Sequence, residues 1–186
     1  MHNILIINGS PRKRSNTDLL LEQVELGIHH AGYRSEHINL VQLAIQPCTG
    51  CANCVPSGEC IITDDMTALY DKVWAADRIV IGTPIYFCGV TALTKAFIDR
   101  CQALRYRKER PDIEARRGYM VAVAAAEHRS IFDGARQTLV CACDAMACTY
   151  SGEVLGTGIE HKAAVADRPE ILLAALQLGT ALCRTP

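Results

Sequence analysis

The chain has 186 residues with 19 basic against 20 acidic side chains, a formal net charge of −1, and is 49% hydrophobic and 21% charged. That balance is globular and excludes disordered, collagen-like and coiled-coil chains, while near-neutrality removes the electrostatic basis for nucleic acid or an anionic membrane as main partner. Folding at this length buries roughly 70% of the surface the unfolded chain exposes, so one domain can hold a core without disulfide staples.

The uncharged stretch Ile79 to Thr94 is broken by Gly82, Pro84 and Gly89 and falls short of the ~20 apolar residues of a membrane span. MHNILIINGS carries no charged leader or cleavage site, so a cytoplasmic protein is expected. Its ten cysteines are then expected to be reduced thiols, metal ligands or redox groups rather than a disulfide framework.

In chain order, Ile4 to Ile7 form a continuous apolar run ending in Asn8-Gly9-Ser10, the pattern of a strand buried on both faces. Ser15 with Asp18 three residues on is a capping-box signal, and Leu20, Leu21, Val24 and Ile28 share one helical face until Gly32. Arg34 to Leu40 fits a second strand, placed at an edge by Glu36 and Asn39. Pro47 to Cys60, rich in Cys, Gly and Pro, is predicted as a loop. Met66, Leu69, Tyr70, Val73 and Trp74 restore helical spacing, and Ile79 to Ile81 is the next buried strand. Helices are predicted over Thr91 to Cys101, Ile131 to Ala147 and Pro169 to Leu182, with strands over Tyr119 to Ala126 and Tyr150 to Leu155. This alternation specifies an α/β three-layer sandwich: a five-stranded parallel sheet with helices on both faces, in a single domain.

In such a sheet the ligand sits beyond the carboxyl ends of the strands, where strand order reverses. For the order 2-1-3-4-5 the loops after the first and third strands flank that point. The first, GSPRKRSNT, combines a tight turn, outward amides at a helix start and consecutive basic residues, which suits a phosphate; helix capping by Ser15 or Asn16 is expected beside it. Neither Gly-x4-Gly-Lys-Ser/Thr nor Gly-x-Gly-x2-Gly spacing is present, and Gly156-Thr-Gly158 is too short to count, so a mononucleotide phosphate fits best. The second loop, Gly82 to Gly89, offers an aromatic and aliphatic wall with backbone amides, which suits a flat polar heterocycle.

GSPRKRSNT after the first strand and GTPIYFCGVTALTKAFIDR after the third resemble the flavodoxin-like NAD(P)H-dependent FMN reductases, over nearly the whole chain. The resemblance implies a flavodoxin-like fold in which Ser10, Arg12, Ser15, Asn16 and Thr17 hold the FMN phosphate, and Pro84, Ile85, Tyr86, Phe87, Cys88 and Gly89 contact the ring. The fourth loop, Ala124 to Ser130, should approach the ring from its other side, but departs from a glycine-rich form and is left unassigned.

Cys48, Cys51, Cys54 and Cys60 bring four thiols into one irregular loop, as a cubane cluster requires, differing from the ferredoxin run only at the fourth position. This spacing resembles the iron-sulfur flavoproteins, which implies a [4Fe-4S] cluster passing electrons to FMN. Zinc, a dithiol cycle or a purely structural role stay open on the residues alone. Cys88 neighbours the expected ring, and Cys101, Cys141, Cys143, Cys148 and Cys183 are read as buried thiols.

His2, His29, His30 and His37 fall in surface or helix-end contexts, and His128 lies in the fourth loop. Arg105 to Arg117 is read as a solvated surface loop, with a lid or an NADPH-phosphate site as the functional alternative. The resulting expectation is an FMN-dependent oxidoreductase taking electrons from NAD(P)H, or from ferredoxin if the cluster is present, and passing them to a small acceptor. It should be a homodimer or homotetramer, with Pro84 to Thr94 in the interface. The competing readings are a flavodoxin-type electron carrier and a zinc-stapled interaction domain.

Overall fold

Every residue of β1 (Ile4–Asn8) is buried, because helices cover both faces of the sheet it belongs to. The structure, a computed structural model, describes residues 3–107, 111–113 and 115–184. After β1 come α1 (Asn16–His30), β2 (Ser35–Asn39), α2 (Met66–Ala75), β3 (Arg78–Pro84), α3 (Ala92–Arg100), the short α4 (Gln102–Arg105), β4 (Arg117–Val123), α5 (Asp133–Ala145), β5 (Thr149–Gly156) and α6 (Pro169–Leu182). The five strands are parallel in the order β2-β1-β3-β4-β5, as the alternation predicts.

The strand side chains alternate between two cores. Leu5, Ile7, Ile79, Ile81 and Met120 pack against α2, α3 and α5, and Ile4, Ile6, Val80, Val121 and Val123 against α1 and α6. This two-sided burial is why the strands read as continuous apolar runs. The helices α1 and α6 touch through glycine, where a Cβ on Gly179 would stand 2.0 Å from the Val24 carbonyl oxygen. No helix among the described residues is long and apolar enough to cross a membrane.

Three expectations need correction. β4 starts at Arg117, because Arg117 and Gly118 pair in register with Arg78 and Ile79, and ends at Val123 rather than Ala126. Cys141 is exposed: on α5 the inward positions are Leu139, Ala142 and Cys143, and Cys141 faces away from them. Cys101, Cys143, Cys148 and Cys183 are buried as expected.

The stretch from Arg105 to Arg117 is no uniformly solvated loop. Arg116 is buried, its guanidinium donating to the carbonyls of Val73, Ala76, Met146 and Ala147, so it is not open to a nucleotide phosphate. Arg105 pairs with Asp144, and Arg107 pairs with Asp71 while stacking 5.2 Å from the Trp74 ring centre. Lys108, Glu109, Arg110 and Glu114 lie outside the described residues, as does His2.

Candidate functional site

The phosphate-type loop between β1 and α1 is braced before any ligand arrives. The Asn8 carboxamide donates to Asp18 and to Asn39 Oδ1 (2.9 Å), and its oxygen accepts the Ser10 amide at 3.0 Å. Asp18 in turn accepts the Ser15 amide at 2.7 Å while Ser15 Oγ accepts the Asp18 amide, so the capping box read from the sequence is formed. The α1 amides therefore point out of a fixed turn with the positive end of the helix dipole behind them.

Within this loop Thr17 is fully buried and its hydroxyl has no hydrogen-bond partner. Orphaned buried hydroxyls are uncommon, and one that lines a cavity at a helix start fits an absent acceptor such as a phosphate oxygen. Arg12 lines the same cavity and is exposed, with no carboxylate paired to it among the described residues. Ser10 differs: it is buried, its hydroxyl bonds the Arg12 backbone, and it does not line the cavity. The Asn16 carboxamide is engaged by the chain itself, donating to the His161 carbonyl (2.8 Å) and accepting the Val165 amide (3.0 Å).

The loop after β3 forms the apolar wall. The Ile85 amide donates to the Val123 carbonyl at 2.8 Å, and Tyr86 and Gly89 exchange two backbone hydrogen bonds around a two-residue turn. Phe87 and Cys88 occupy that turn with φ of 49° and 61°. Both are non-glycine residues in the left-handed region, which costs roughly 1 kcal/mol or more each. Phe87 is fully exposed and Cys88 is exposed; neither lines the cavity, nor does Gly89, whereas Pro84, Ile85 and Tyr86 do.

The cavity between these walls holds about 250 Å³. It has two further walls: Val123, Ala124 and Ala125 at the end of β4, and Ile159, Glu160 and Lys162 after β5. Sequence reading left the first unassigned and missed the second entirely; the only local signal was Gly156-Thr-Gly158, which falls where β5 hands over to this loop. One apolar wall, several free amides and a cationic end make a site whose donor set fits a mononucleotide with a flat ring. His128 lies elsewhere, bonded to Ser130 at 2.9 Å on the surface.

A second cavity, of about 210 Å³, is lined by Cys48, Cys51, Cys54 and Cys60 together with Arg100. Cys48 and Cys51 are exposed, while Cys54 and Cys60 are half-buried. Among the described residues no three His, Cys, Asp or Glu side chains are gathered closely enough to hold a metal ion as they stand. The four thiols nevertheless surround one space, the donor set that a multi-iron cluster uses.

Arg100, at the end of α3, closes the neck of this loop. It is fully buried, pairs with Asp64 at 2.7 Å and donates to the carbonyls of Gln46 (3.0 Å) and Ile62 (3.0 Å), so one guanidinium grips both ends of the cysteine segment. Asp64 also accepts the Gln46 amide at 2.8 Å. Arg100 Nε donates to the Tyr70 hydroxyl at 3.3 Å, and that hydroxyl stands beside the Cys60 thiol.

The profile of the NADPH-dependent FMN reductase family matches residues 2–153. An iron-sulfur flavoprotein of Methanocaldococcus jannaschii is 39% identical over 102 residues, covering 55% of this chain and 53% of the relative. Another, from Archaeoglobus fulgidus, is 43% identical over 102 residues, covering 55% and 50%. The chain thus spans about half the length of these curated relatives. In fold it matches an NAD(P)H:quinone oxidoreductase from Methanothermobacter marburgensis with a TM-score of 0.76 at 16% identity, over 100% of this chain and 98% of the other.

Two outcomes follow from these geometries. Burial alone would raise the Asp64 carboxyl, but Arg100 and the amides of Gln46 and Met66 bring it below its ordinary value. Asp64→Asn leaves the Arg100 charge buried without a counter-ion and is expected to cost about 3 kcal/mol in urea unfolding at pH 7. The folded carboxyl titrates below the unfolded one, so its contribution is full above the unfolded value of about 3.9 and is lost as pH falls through the folded value. The gap between wild type and variant must therefore narrow in acid; a gap independent of pH contradicts the ion pair.

In the reduced, metal-free chain, hydrogen bonds from Asn53 and Thr49 lower the exposed Cys51 thiol, while burial and the neighbouring thiols raise Cys54. Iodoacetamide should therefore label Cys51 before Cys54 at neutral pH, with the difference shrinking in more alkaline buffer. Equal rates at neutral pH would contradict the arrangement.

Proposed function

The chain belongs to the NADPH-dependent FMN reductase family, and from that premise we propose that it is an FMN-binding oxidoreductase that takes electrons from NAD(P)H and delivers them to a small acceptor. The observation that carries this reading is the buried, unpartnered Thr17 hydroxyl in the same cavity as the Pro84–Tyr86 wall. Bound FMN supplies the redox chemistry, accepting and releasing two electrons at its ring.

The residues of this chain bind and orient. Thr17, Ser15 and the free amides at the start of α1 receive the phosphate, with Arg12 as counter-charge. Pro84, Ile85 and Tyr86 form one side of the ring pocket, and Val123, Ala124 and Ala125 another. Main-chain hydrogen bonds from Ile85 to Val123 and from Ala124 to Gly156 fix those walls relative to each other. The reaction asks for no catalytic triad or paired carboxylates, since donor and acceptor need only reach the ring in turn.

At the cysteine loop, Cys48, Cys51, Cys54 and Cys60 would hold a [4Fe-4S] cluster. The relatives named iron-sulfur flavoproteins support this, and so does the emergence of the loop after β2, on the same sheet edge as the flavin loops. With that cluster in place, a ferredoxin is a second class of donor. Exposed Phe87 beside the ring wall favours a second copy of the chain as neighbour.

The test is anaerobic purification followed by an absorption spectrum, iron and sulfide analysis, and NAD(P)H oxidation with a dye acceptor. Flavin bands with nucleotide oxidation are expected, with about four irons and four sulfides per chain. Flavin without iron removes the cluster and leaves the FMN reading. A colourless protein that binds no added FMN overturns the reading as a whole, and flavin without nucleotide oxidation reduces it to an electron carrier.

A further inference from the structure

The segment between β5 and α6 forms a strap across the cation end of the FMN cavity. It is tied down by four hydrogen bonds. Gly158 and Ile159 donate to the carbonyls of Ala126 and Ala124 at 3.0 and 2.9 Å. The Asn16 carboxamide, at the start of α1, then takes both a carbonyl and an amide of the strap, from His161 and Val165, 145 and 149 residues away in sequence. The helices α1 and α6 on either side of it pack closely through Gly27 and Gly179. The strap presents Lys162 and Glu160 to the cavity that Arg12 and Thr17 also line. Among the described residues Lys162 has no carboxylate partner, and neither does Arg12.

A phosphomonoester near neutral pH carries about −1.5 to −2 charges. The α1 N-terminus offers an equivalent of roughly half a positive charge, and Arg12 one more. Those two fall short of the dianion, the more so with Glu160 at the rim, and a second cation closes the deficit. Lys13 and Arg14 do not line the cavity; Lys162 does.

We infer that Lys162 is a phosphate-binding residue, gripping a phosphomonoester together with Arg12 and the Thr17 hydroxyl, and that Asn16 is the positioning residue that fixes its strap. This rests on the FMN-binding reading. The chemistry is shared by the 5′-phosphate of FMN and the 2′-phosphate of NADPH, and the orphaned Thr17 hydroxyl favours the former.

The test uses the full chain stripped of flavin, titrated with FMN and with riboflavin, which lacks the phosphate. Lys162→Gln should weaken FMN by about tenfold, the worth of one charge-assisted contact, and leave riboflavin unchanged. Glu160→Gln should move FMN affinity in the opposite direction. Asn16→Ala should reproduce the FMN-selective loss, whereas a merely structural role would weaken both flavins alike.

If Lys162→Gln leaves FMN unchanged but raises the KM for NADPH and not for NADH, the phosphate gripped is that of the nicotinamide nucleotide, and the assignment of Lys162 stands with that source. Equal losses for FMN and riboflavin, or no change for any of the four compounds, overturn it. Failure of the unsubstituted chain to bind either flavin sinks the FMN reading itself and this assignment with it.

Discussion

The two ligand loops are held by a buried lattice of three threonine hydroxyls, and the site depends on it. Thr91 Oγ1 donates to the Gly9 carbonyl at 2.7 Å and lies 2.9 Å from Thr94 Oγ1, which reaches Thr83 Oγ1 at 3.4 Å. Thr83 Oγ1 donates onward to the Pro84 carbonyl at 2.9 Å. The turn after β1 and the turn after β3 are thus bonded to each other, with the Gly9 amide on the Gly82 carbonyl as the direct link. Gly9 has to be glycine here, since a Cβ would sit 1.8 Å from Thr94 Oγ1. With every hydroxyl of the lattice satisfied, the low local dielectric strengthens it, and the positions of the phosphate loop and the ring wall become one quantity rather than two.

The same helix that carries this lattice at one end carries the cysteine loop at the other. Thr91 caps α3, and Arg100 ends it. Nine residues of helix therefore join the ring wall to the guanidinium that clamps both ends of the cysteine segment. The ring wall and the cysteine loop are thus joined by a rigid helix instead of a mobile loop. The strained turn at Phe87 and Cys88 sits just before this helix, where the surrounding hydrogen bonds can hold it.

What the sequence made legible was local or periodic. The buried runs of β1 and β3, the capping box of Ser15 and Asp18 and the limits of α6 follow from spacing and short-range chemistry, and the structure has them. The resemblance to flavin reductases rested on two loops, and the structure brings Arg12, Ser15, Asn16 and Thr17 to one cavity with Pro84, Ile85 and Tyr86. What stayed hidden were relations across the chain. Asn16 looks like a ligand or a cap until His161 is seen against it; Lys162 carries no local signal, and only the fold sets it, still exposed, at the rim of that cavity. Arg116 sits in a run that reads as solvated, yet four carbonyls bury it. Cys141 was misplaced because a short amphipathic segment does not fix its rotation about the helix axis, and Cys143 takes the inward place.

The most direct measurement is a crystal structure of the chain with FMN. With FMN bound, the phosphate is expected at the start of α1 within hydrogen-bond distance of the Thr17 hydroxyl, and the ring between Pro84–Tyr86 and Val123–Ala125. A phosphate elsewhere, with the Thr17 hydroxyl still unpartnered, would contradict that arrangement.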